Sequence, residues 1–200
     1  MASYSDFVNV HKSDAELAAT ELFIGYPESL LHFAYACCVI FMVIGIPGNL
    51  ITIIALASCK KFRNATAVFI ISLHVSNLLC CCIVLPMAIL TYASKKWVLG
   101  HLMCNVYPLL KYSLNATAHF TVVAITLNRY ILVCHPFLYP KFYKTRNIII
   151  SLISIWVAAF ALFLPAFFGV WGQFDLEPIG GSCTLLPDSN KVSPKNFFLC

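Results

Sequence analysis

Charge is what this sequence has least of. Asp, Glu, Lys and Arg make up 10% of its 200 residues, against roughly a quarter in an ordinary soluble domain. With 60% hydrophobic residues and a mean hydropathy of +0.85, that shortage excludes a soluble globular chain and predicts a polytopic membrane protein. Acid is scarcer still, since no Asp or Glu occurs between Glu28 and Asp175. Basic clusters interleaved with aromatics are missing, which removes nucleic acid from the expected partners. Metal-ligand spacing such as C-x2-C is missing too, because the Cys80-Cys81-Cys82 run points three ways around a helix. No metal or other cofactor is expected. The first 29 residues lack a basic stretch followed by an apolar one, so no cleavable signal peptide is expected. They read as a polar, acidic, mobile tail that carries no N-x-[ST] sequon.

Present instead is a series of long uncharged runs. A hydrocarbon core of about 30 Å needs roughly 20 apolar residues at 1.5 Å each. After the tail (1–29), residues 30–58 form span one, with no charge. A basic turn at 59–64 leads to span two (65–94), which holds His74 and Asn77. A turn at 95–100 precedes span three (101–134), which contains Lys111 and Arg129. Residues 135–146 form a basic loop with prolines, 147–170 span four and 171–194 a polar loop. Residues 195–200 look like the first turns of a fifth span.

Lysine and arginine positions set the topology. Lys60, Lys61, Arg63, Arg129, Lys141, Lys144 and Arg146 lie on one side, with no acid. Lys12, Lys95, Lys96, Lys191, Lys195 and all the acids lie on the other. The first side is therefore cytosolic and the amino terminus extracellular. On that topology the sequons Asn64-Ala-Thr66 and Asn115-Ala-Thr117 fall in a cytosolic turn and inside a span, and read as chance matches. Of the ten cysteines, six lie in or at the ends of spans and act as small apolar residues, and Cys59 faces a reducing compartment. Cys104 and Cys183 lie where oxidation is expected; a bridge between them is favoured over two free thiols.

Several motifs in order along the chain then carry a resemblance. "GIPGNLITIIAL" around Asn49, "NATAVFIISLHVSNLLCCCIVLP" with Asn77 and Pro86, Trp97, Cys104, "LNRYILVCHP", Trp156, Pro165 and Cys183 occur in register over residues 45–183. The chain resembles the amino-terminal half of a rhodopsin-like (class A) G-protein-coupled receptor. "NRYILVCHP" and "GVWGQFDLEP…GGSCTL" resemble the insect orphan receptors of the moody type, with melatonin receptors more distant. The fold this implies is an all-α membrane protein, four transmembrane helices plus the start of a fifth, from a seven-helix bundle. The implied activity couples an extracellular ligand to a heterotrimeric G protein from the plasma membrane, without enzymatic chemistry.

Polar residues inside spans are costly and usually turn towards partners or water. Asn49 reads as structural glue between helices; the resemblance implies a polar core of the bundle made of Asn49, Asn77 and Trp156, the single tryptophan of span four. Asn77 departs from the family, which usually has an Asp there binding sodium with partners on later spans. An amide lacks the anionic oxygen that a hard cation prefers, so the sodium site is expected to be weakened or absent. His74 and His119 read as satisfied core histidines. Lys111 lies about 10 Å inward of Cys104 along the helix. Three readings stay open for it: snorkelling to the interface, pairing with an acid on a span outside this chain, or meeting an anionic ligand such as a carboxylate or phosphate-bearing lipid. Asn115, one turn deeper, lies on the same face. Amine receptors of the family carry an Asp at the position of Lys111, which argues against an amine ligand.

Arg129 lies about 27 Å beyond Lys111, at the cytosolic mouth. A snorkelling boundary arginine explains its depth but not the Asn128-Arg129-Tyr130 neighbourhood. The resemblance implies a switch in which Arg129 is held at rest and released to contact the Gα subunit, with Pro136 and the following basic loop joining that contact. Most relatives have an acid before the arginine, whereas Asn128 offers only a neutral hydrogen bond, about half as strong as a charge-assisted one. A looser resting lock is expected. Because the family needs seven spans, an incomplete gene model or a fragment is the expectation here. The alternative is a truncated membrane partner that pairs with full-length receptor and does not signal. A transporter ranks third, for want of an internal repeat or paired broken helices.

Overall fold

The computed structural model describes residues 14–58, 64–170 and 172–186. The expected start of a fifth span, Cys59, Cys200 and all but Asn64 of the turn at 59–64 lie outside them. The elements are helices α1 (Asp14–Ala19) and α2 (Glu28–Ser58), then α3 (Ala65–Leu79), which continues through a π-helical turn, Cys80–Val84, into α4 (Leu85–Ser94). They are followed by α5 (Gly100–Cys134), α6 (Tyr139–Phe142), α7 (Thr145–Ala161), α8 (Leu164–Phe167), and strands β1 (Gln173–Glu177) and β2 (Ser182–Leu186). Among the described residues, four stretches are long and apolar enough to cross a membrane: Glu28–Ser58, Ala65–Ser94, Gly100–Cys134 and Thr145–Phe167. Their outward residues are aliphatic and aromatic, Ile51, Phe41, Val123 and Ile153 among them, as contact with lipid tails requires.

The described residues fold as two compact units, one within residues 1–36, 87–109 and 164–200, the other within residues 37–86 and 110–163. In the second, the helical unit, small hydroxyl side chains make the seams. Ser113, Thr117, Thr121 and Asn128 of α5 and Thr66, Ser72 and Ser76 of α3 are all buried. Small residues let membrane helices approach closely where no hydrophobic drive exists between them. Thr117 and Thr121 satisfy themselves by donating to the carbonyls of Ser113 and Thr117, at 2.8 and 2.7 Å. Gly45 of α2 serves the same end, because a Cβ there would stand 2.7 Å from Sγ of Cys81. Cys81 lies in the π turn, where the amide of Leu85 bonds the carbonyl of Cys80 five residues back. The turn inserts one residue into the ladder and rotates the facing of the helix beyond it.

The first, the hairpin unit, differs from the sequence expectation at two places. The tail is structured from Asp14 onward: α1 forms, and Leu17, Leu22 and Phe23 are buried. Three apolar residues in a polar stretch find a core there, which local sequence does not announce. The polar loop at 171–194 holds an antiparallel hairpin that pairs Leu176 with Cys183 and Glu177 with Ser182. Its alternation of Phe174 and Leu176 inward with polar neighbours outward is short, but it has the period of two that a half-buried strand needs. The disulfide Cys104–Cys183, with Cα atoms 5.2 Å apart, ties β2 to the first turns of α5. Trp97 is buried in the same unit, donating its indole N–H to the carbonyl of Gly100 at 2.9 Å and meeting Tyr107 edge to face.

Candidate functional site

The strongest polar cluster in the helical unit surrounds Asn128. It is fully buried near the end of α5, and its Oδ1 accepts from the hydroxyl of Thr66 at 2.6 Å. Its Nδ2 donates to the hydroxyl of Tyr139, on α6, at 3.4 Å, a long and weak bond. Thr66 stands in the first turn of α3, which Asn64 caps by accepting from the amide of Ala67 at 2.9 Å. The letters Asn64-Ala65-Thr66 are thus a helix cap and a helix-to-helix bond. Tyr143 stacks on Tyr139 at 4.9 Å, and burial pushes its hydroxyl pKa up, against a hydrogen bond from Asn128 that lowers it.

Arg129, by contrast, is exposed, and among the described residues no hydrogen bond or ion pair holds its side chain. Tyr130 and Pro136 are exposed as well, with Tyr130 edge to face against His135. The structure therefore joins Asn128 to neighbours other than Arg129. No spacing links Thr66 with Asn128, 62 residues apart, and neither Thr66 nor Tyr139 carries a sequence signal.

A second cluster joins α2, α3 and α7. Asn49 donates Nδ2 to the carbonyl of Gly45 at 2.7 Å, and its Oδ1 lies 2.7 Å from Nδ1 of His74. A carbonyl only accepts, so the amide orientation is fixed, and His74 must carry its proton on Nδ1 to complete the pair. Trp156 donates its indole N–H to the hydroxyl of Ser72 at 3.0 Å, fastening α7 to α3. Asn77 is half-buried, and no side-chain bond of its own is found among the described residues.

Lys111 is half-buried in α5, with Nζ 5.7 Å from the ring centroid of Tyr112, which stacks on Phe163. That separation is within the reach of a cation–π contact. Asn115 is exposed and donates to the backbone carbonyl of Lys111 at 2.9 Å, so its amide is committed to its own helix. The ring of His119 bonds the carbonyl of Asn115 in turn, at 2.7 Å. No group of three or more His, Cys, Asp or Glu suited to a metal ion occurs among the described residues.

Four apolar helices joined by polar side-chain bonds, with a disulfide-held hairpin, define a multi-pass membrane protein. Residues 48–200 match the profile of the 7 transmembrane receptor (rhodopsin family), and the chain belongs to that family. It is 37% identical over 188 residues to Protein trapped in endoderm-1 of Drosophila melanogaster, covering 93% of this chain and 47% of that one. It is 34% identical over 171 residues to G-protein coupled receptor moody of the same fly, covering 86% and 26%. G-protein coupled receptor 84 of Homo sapiens is 33% identical over 162 residues, covering 80% and 40%. The chain thus spans about half the length, or less, of the curated relatives it matches. Squid rhodopsin superposes with a TM-score of 0.72 at 24% identity, over 80% of this chain and 44% of that one. That likeness establishes the fold.

Proposed function

We propose that the chain is part of a plasma-membrane receptor, amino terminus outside, that couples an extracellular ligand to activation of a heterotrimeric G protein. Such a receptor performs no bond-making chemistry. It favours one bundle conformation over another, and the ligand acts through its differential affinity for the two. On this reading Arg129 contacts the Gα subunit, with Tyr130, Pro136 and the basic loop beside it. The observation that supports it best is the division of labour at the end of α5: Asn128 is buried and bonded, and its neighbour Arg129 is exposed and unbonded among the described residues. The resting restraint then runs from Asn128 to Thr66 and Tyr139 rather than through a carboxylate on Arg129.

Lys111 is the anchor for an anionic group of the ligand, a carboxylate or a phosphate-bearing lipid. Its cation lies over the Tyr112 ring, a weak contact that a full ionic partner can outcompete. Asn115 contributes less than its position suggests, since its amide already bonds the Lys111 carbonyl. The test is G-protein activation by the full-length receptor carrying Lys111→Ala, Asn128→Asp or Arg129→Ala. Arg129→Ala should abolish activation while surface expression holds, and normal activation by that variant would refute the Gα contact. Lys111→Ala leaving every agonist unaffected would refute the anionic ligand. Asn128→Asp should lower basal activity.

A further inference from the structure

Among the described residues, two non-glycine residues have positive φ, Phe23 at 61° and Lys95 at 51°. They meet at one junction of the hairpin unit. The amide of Leu22 donates to the carbonyl of Lys95 at 3.1 Å, and Glu21 and Lys96 form an isolated antiparallel bridge. Six residues after Leu22, Glu28 returns to pair with the Lys95 ammonium. The segment from Leu22 to Glu28 is therefore fastened to Lys95 at both ends. Between the fastenings, the amide of Phe23 donates to the carbonyl of Pro178 in the hairpin turn at 2.9 Å. The Phe23 ring stacks on Tyr92 of α4, centroids 5.1 Å apart. Its far edge fills the space over Gly181, where a Cβ would overlap the ring. Gly181 also has positive φ, 67°, so glycine is required there twice over, for its backbone and for its missing side chain.

We propose that residues 20–28 form a releasable latch, with Phe23 as its bolt, that holds the hairpin β1–β2 shut against the end of α4. Five contacts close it: two backbone bonds, the ring stack on Tyr92, the packing of that ring over Gly181 and one exposed ion pair that contributes little. The left-handed backbone of Phe23 opposes it, because an L-residue with a side chain is disfavoured there; that of Lys95 belongs to the end of α4, where its amide donates to the Thr91 carbonyl. Strain of that kind persists only while the surrounding contacts hold it. Opening withdraws Phe23 from Tyr92 and from Gly181, two residues before Cys183. Cys104 and Cys183 are 2% and 1% exposed in the closed form, so on this proposal reduction of their disulfide reports the opening.

The experiment measures how fast dithiothreitol reduces Cys104–Cys183 in the full-length protein in lipid nanodiscs, scored by maleimide labelling and peptide mass. If reduction proceeds through the open latch, its rate follows the open population. Phe23→Ala should raise it roughly tenfold, equivalent to about 1.4 kcal/mol. Gly181→Ala should raise it similarly by expelling the ring; in the Phe23→Ala background only the backbone cost of alanine at positive φ remains, so the double should fall below the product of the singles. Rates within about twofold of the parent in both single variants, or multiplicative effects in the double, would overturn the latch. Where substitution unfolds the protein, hydrogen exchange on the unsubstituted protein decides. The amides of Leu22 and Phe23, which bond Lys95 and Pro178 across the latch, should exchange together, ahead of the α5 interior. Unrelated rates for the two would overturn the proposal.

Discussion

Replacing Thr66 by valine keeps the shape of the side chain and removes one hydroxyl, so it isolates the bond to Asn128. Oδ1 of Asn128 then stays fully buried without its Thr66 donor, since the bond of that amide to Tyr139 uses Nδ2. Stranding a buried acceptor costs about 1–3 kcal/mol in general. Hydrogen bonds between membrane helices measured by double-mutant cycles are smaller, about 0.6 kcal/mol on average and about 1.7 at most. The short 2.6 Å bond and complete burial place Thr66→Val towards the upper end, at about 1–2 kcal/mol. The assay is thermal unfolding of the full-length protein in nanodiscs, for Thr66→Val, Asn128→Leu and the double variant. The double should be more stable than the sum of the singles implies, by about 1 kcal/mol. If the bond also restrains the resting bundle, basal G-protein activation by Thr66→Val should rise by up to about tenfold for each 1.4 kcal/mol released. A neutral Thr66→Val, or strict additivity in the cycle, would refute this account of Asn128.

Single contacts yield further expected outcomes. Gly45→Ala should destabilise the protein by about 1–3 kcal/mol, because its methyl meets Sγ of Cys81. Cys81→Ala should recover most of that loss in thermal unfolding, and failure to recover it would mean the close approach is not the cause. If the proposed receptor function holds, sodium should be a poor modulator of agonist affinity in the full-length receptor, since Asn77 offers an amide where the resemblance implies a carboxylate; a shift by sodium that an inert cation does not match would contradict this. Tyr143, with its pKa raised mainly by burial, holds its proton more tightly folded than unfolded. Its contribution to stability is therefore complete below the ordinary tyrosine value of about 10 and lost as pH rises through the folded value. Tyr143→Phe should flatten the alkaline fall in melting temperature, and an unchanged slope would assign that fall to another group.

The spans are legible because hydrophobicity is a local property, summed over about 20 neighbouring residues. Lysine and arginine positions, the missing acids and the motif order from Asn49 to Cys183 belong to the same kind of information, and they lead to the family. The hairpin is hard to read because its alternation is short and its turn, Pro178–Gly181, lies in a polar stretch. Burial of Leu17, Leu22 and Phe23 is hidden for another reason: a few apolar residues in a tail say nothing until a surface exists to cover them.

The sequence by itself determined that the chain is a multi-pass membrane protein and which cysteines can pair. Tertiary structure alone decided the partners: Thr66 with Asn128, Asn49 with His74, Ser72 with Trp156 and Phe23 with Gly181. Each is a contact between residues at least 25 positions apart. A polar side chain in an apolar span announces that it needs a partner, but which one it meets depends on how the helices pack.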